Sequence, residues 1–116
     1  MSLKNGVFQW RIRLKRFISR AVKMADISVT QLSHDGGKYV FEIGVREEGS
    51  KTTHEVSVSE TYYDELTGGK IAPQKLVEKS FEFLLSRESK ESILRQFDLM
   101  DISRYFPEYR EEAAHF

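Results

Sequence analysis

The sequence predicts an α+β fold: a three-stranded antiparallel β-meander with helices packed on one face, preceded by a basic amphipathic helix. Three observations carry this reading. Apolar residues alternate with polar ones at a period of two between Ile27 and Val58. After Ser59 they recur at spacings of three and four, the period of a helix with one buried face. Short glycine-containing turns separate the alternating runs, and turns this short join antiparallel neighbours. At 116 residues the chain has room for one domain with a modest core.

The elements follow in order. Residues 7–22 read as a helix, because Val7, Trp10, Leu14, Phe17, Ile18, Ala21 and Val22 fall on one face opposite Arg and Lys, with Phe8 and Ile12 widening the apolar side. Ile27 and Val29 open the first strand, and His34-Asp35-Gly36-Gly37 marks a turn. Tyr39, Phe41, Ile43 and Val45 set one buried face of the second strand. After the turn at Glu47–Lys51, Val56 and Val58 define the third. Thr61 and Asp64 resemble a capping pair for a short helix that Gly68-Gly69 ends. Pro73 suits the first turn of a longer helix carrying Leu76, Val77, Ser80, Phe81, Leu84 and Leu85. A further helix is expected from Ser89 through Ile93 and Leu94 to Phe97. Asp98 can cap a last turn with Leu99, Ile102 and Phe106, which Pro107 stops, and residues 110–116 are expected to fray.

Charge divides the chain. Lys4, Arg11, Arg13, Lys15, Arg16, Arg20 and Lys23 supply seven of the 18 basic groups, and residues 1–25 hold none of the 18 acidic ones. A segment of formal charge +7 therefore precedes a body of −7. The domain boundary is placed at Met24, with residues 24–116 as a small α+β domain and residues 1–23 either an integral helix packed on the sheet or an attached extension. There are no cysteines, which removes disulfides, thiolate metal sites and cysteine nucleophiles and fits a reducing cytoplasm. No apolar run is long enough to span a membrane.

No residue pattern carries catalysis, and no metal or cofactor is expected. His34, His54 and His115 share no ligand spacing; His34-Asp35 reads as a solvated turn dipeptide and His54 as an exposed strand residue. Glu78 with Glu82 reads as a wet helix face, and Asp98 with Asp101 as a helix N-terminus. Gly68-Gly69-Lys70 lacks the strand and spacing of a phosphate loop.

The body resembles a small family of uncharacterised bacterial proteins, through Thr53-His54-Glu55-Val56, Leu66-Thr67-Gly68-Gly69, Phe81-Glu82-Phe83-Leu84-Leu85 and, most specifically, Phe97-Asp98-Leu99 with Ile102–Tyr109. The resemblance covers residues 24 to about 112 and implies no activity, ligand or catalytic residue. Residues 55–88 also resemble a ribbon-helix-helix module, which would assign Glu55, Ser57 and Ser59 to base contact. That stretch holds four basic groups against seven acidic ones, a deficit for phosphate binding.

The function expected from these readings is a non-catalytic interaction or regulatory module, working with a protein partner or as a dimer. Its candidate contacts are Phe97, Arg104, Tyr105 and Tyr109, because aromatic and arginine side chains anchor interfaces. The competing structural role places Phe97 and Phe106 in a small core with the tyrosines on its rim. The alternative function is nucleic-acid or anionic-surface binding through Arg11, Arg13, Lys15, Arg16 and Arg20.

Overall fold

A computed structural model describes residues 25–116. The expected first helix and its basic side chains lie outside the described residues. Strands β1 (Asp26–Asp35), β2 (Lys38–Glu47) and β3 (Ser50–Ser59) form the expected antiparallel meander. Gly36-Gly37 and Glu48-Gly49 make its two connections, and all four residues adopt positive φ. Two-residue loops of this kind follow the right-handed twist of the flanking strands. In β1 the register slips between Gln31 and Ser33, leaving Leu32 out of the pairing and half exposed.

One face of the meander is the floor of the core. Phe41, Ile43 and Val45 of β2 and Val56 and Val58 of β3 are fully buried, as their alternation requires. Ile27 and Val29 of the edge strand β1 pack against them but stay partly exposed. Helix α1 (Glu60–Thr67) covers this face with Tyr62 and Leu66. Its N-cap is Ser59, whose Oγ accepts from the Tyr62 amide at 3.0 Å, rather than the expected Thr61. Gly68, at φ 63°, ends it as expected. Helix α2 (Pro73–Leu85) begins on Pro73 and buries Leu76, Val77, Phe81 and Leu84.

Two expectations are corrected beyond α2. The predicted helix over Ser89–Phe97 is a 3-10 turn at Lys90–Ser92 followed by extended chain and the short strand β4 (Gln96–Asp98). β4 pairs parallel to β3, with Val56 opposite Phe97, so the sheet has four strands in the order β1-β2-β3-β4 and is mixed rather than a three-stranded meander. The tail does not fray. A 3-10 turn at Leu99–Asp101 leads into α3 (Ile102–Tyr105), and α4 (Tyr109–Ala113) packs Tyr109 and Ala113 into the core.

Candidate functional site

The chain that leaves α2, forms β4 and returns through α3 encloses an apolar cleft of about 160 Å³. Leu84, Ile93, Phe97, Ile102 and Phe106 line its interior, with Leu94 and Tyr105 at the lips. Among the described residues, Glu88 and Asp101 supply the only ionisable side chains besides Tyr105, so this lining presents carboxylates and no basic group. Glu88 is partly buried, and among the described residues it forms no ion pair.

Each wall is held by bonds between distant segments. The buried His54 ring fixes the Leu94 side: Nδ1 lies 2.8 Å from the Leu94 carbonyl oxygen and Nε2 lies 2.8 Å from Thr52 Oγ1. A carbonyl can only accept, so Nδ1 carries the proton and Nε2 accepts from the threonine. His54 is therefore a core residue, not the exposed strand residue expected. Burial lowers its pKa below the ordinary histidine value; the Leu94 carbonyl opposes this and Arg95 adds to it. The imidazole lies 5.4 Å from the Phe81 ring, which in turn lies 6.0 Å from Phe97 in the cleft.

The opposite wall rests on Asp98. Its Oδ1 accepts from the Met100 amide at 2.9 Å, and its Oδ2 accepts from Ser57 Oγ on β3 at 2.9 Å. Asp101 Oδ2 accepts from the Asp98 amide at 3.2 Å, completing a reciprocal cap on the turn that carries Ile102 and Tyr105. Behind Phe106, Phe83 meets it edge to face at 5.9 Å. The Arg87 guanidinium sits 3.8 Å from the Phe83 ring centre, and Arg87 Nε donates to Glu108 at 3.0 Å. Glu108's carboxyl is held below its usual range by its own backbone amide and then by Arg87.

The four expected contact residues separate. Phe97 is half-buried inside the cleft and Tyr105 is 66% exposed at its lip. Arg104 points to solvent, 3.8 Å from Asp101, and does not line the cleft. Tyr109 is fully buried, 2.6 Å from Ser80 Oγ on α2, and belongs to the core. Arg11, Arg13, Lys15, Arg16 and Arg20 lie outside the described residues. The sequence reading missed Glu88 and Leu94. The expected helix runs through both Ile93 and Leu94, whereas the extended backbone sends Ile93 inward and leaves Leu94 half exposed.

No known protein family, curated protein or solved structure matches this chain.

The strand residues that the ribbon-helix-helix resemblance singles out all have partners within the chain: Glu55 accepts from Gln96, Ser57 donates to Asp98 and Ser59 caps α1. Over Glu55–Ser57 the strand β3 lies between β2 and β4. Among the described residues, no group of three His, Asp or Glu side chains is placed to hold a metal ion, and no helix is long and apolar enough to cross a membrane.

Proposed function

We propose that the protein is a non-catalytic interaction module whose cleft receives an apolar side chain from a basic segment of a protein partner. The carrying observation is the pair of exposed apolar lips, Leu94 at 51% and Tyr105 at 66%, on either side of an apolar hollow. Exposed apolar surface around a concavity is costly in water and marks a place where a second surface docks. Glu88 and Asp101 at the hollow favour basic flanking groups. Binding partners captured by the wild type, Tyr105→Ala and Arg104→Ala proteins test the reading. Tyr105→Ala removes a partner that Arg104→Ala keeps, since only Tyr105 lines the cleft. Identical partner sets for wild type and Tyr105→Ala would falsify this surface.

The seven basic groups in the acid-free residues 1–25 favour a second reading, nucleic-acid binding. Gel shifts of the full chain at two salt concentrations test it. The expected complex weakens as salt rises and disappears when Arg11, Arg13, Lys15, Arg16 and Arg20 become glutamine; no shift at low salt removes the idea.

A further inference from the structure

We infer that the chain's own basic segment is the resident occupant of the cleft, with Trp10 as the side chain that enters it. The inference rests on the reading of the cleft as an interaction site. The hollow, at about 160 Å³, matches the cavity size, about 150 Å³, that admits a benzene ring in an apolar protein interior. Trp10, the only tryptophan in the sequence, carries a six-membered ring that fits this space and an indole N–H that must keep a hydrogen-bond acceptor when buried. The cleft offers two such acceptors in Glu88 and Asp101. Arg11 and Arg13 follow Trp10 in the sequence, which brings cations to the neighbourhood of the cleft's carboxylates, and the segment of +7 is drawn to a body of −7.

The tether permits the contact. β1 lies at one edge of the sheet and β4, whose Phe97 lines the cleft, at the other, a separation of about 14 Å at ordinary strand spacing. Ala25 packs against the core, so the segment starts from the helix-bearing side of β1. The chain from Trp10 to Asp26, sixteen residues on, can reach at most about 53 Å when fully extended, well beyond that separation. Tethering also holds the segment at an effective concentration near the millimolar range, which favours the same molecule's cleft over a neighbour's. The consequence is regulation: an outside partner binds only by displacing Trp10.

The single tryptophan reports on itself in the full-length chain. The expected result is a blue-shifted Trp10 emission shielded from acrylamide, independent of protein concentration. Leu94→Glu and Tyr105→Glu each shift it to the red and restore quenching, and circular dichroism and thermal melting show that these lip variants keep the fold. Emission of a water-exposed indole in the wild type overturns the inference, as does shielding that neither variant disturbs. Shielding that grows with protein concentration assigns the segment to a second copy and overturns the same-chain contact. If Trp10 is exposed while Tyr105→Ala still loses a partner, only the self-docking falls. If the partner sets are also identical, the reading of the cleft falls with it.

Discussion

Tyr62 and Tyr109 are both buried, yet their hydroxyls are held differently. Ser80 Oγ gives its only proton to the Leu76 carbonyl at 2.7 Å, so the Tyr109 hydroxyl is the donor in the 2.6 Å contact with Ser80. The Tyr62 hydroxyl meets no hydrogen-bond partner among the described residues. Tyr109→Phe should therefore cost about 1 kcal/mol, while Tyr62→Phe should be neutral or stabilising. Urea denaturation of the two variants checks this, and equal losses would refute it. His54 carries a pH dependence of known sign. Its folded pKa lies below the unfolded value of about 6.5, so the unfolded chain binds the proton first on acidification. The stability it contributes is complete above about pH 6.5 and is lost as pH falls toward and through the lowered folded pKa. Between pH 7 and 5, denaturation midpoints should fall more steeply for wild type than for His54→Gln. The signal for its burial was present in the sequence, since His54 is in phase with Val56 and Val58. The sequence reading nevertheless faces its polar ring outward, because its partners, Thr52 and the Leu94 carbonyl, are not visible in a local pattern.

Elements with local causes were legible: the alternation of Tyr39–Val45, the Gly68 cap and Pro73 all stand where they were read. β4 was not, because a three-residue strand shows no period, and its pairing with β3 spans 41 residues between Ser57 and Asp98. The β2–β3 connection leaves one local cost in place. Glu48 sits at φ 53°, a left-handed conformation that side chains with a Cβ resist. Glu48→Asn, which creates the favoured Asn-Gly turn, should raise stability by about 1 kcal/mol in thermal or chemical denaturation. Asp98→Ala removes both the cap on its turn and the acceptor for Ser57, and should cost about 1–2 kcal/mol.

At the scale of the molecule, the cleft is assembled from residues that no single motif contains. Phe97 and Tyr105 were singled out by their aromatic crowding, but Glu88 and Leu94 acquire their places only when the chain turns at Lys90–Ser92 and runs alongside β3. The proposed self-docking gives the whole-molecule prediction. Trp10→Ala should increase capture of a cleft partner, and Tyr105→Ala should abolish it; a Trp10→Ala protein that captures no more than wild type argues against competition.

The parallel pairing of β4 has a consequence in time. The two hairpins close over two-residue loops, whereas the partners that join β3 to β4 lie 41 positions apart in the sequence. Loop closure of that length costs entropy before any contact returns it, so the hairpins should form early and β4 should dock late. Amide exchange should accordingly give the Gln96–Asp98 segment less protection than the centre of β2. A chain that has folded only its meander has a sheet but no cleft, which exists only once folding is complete.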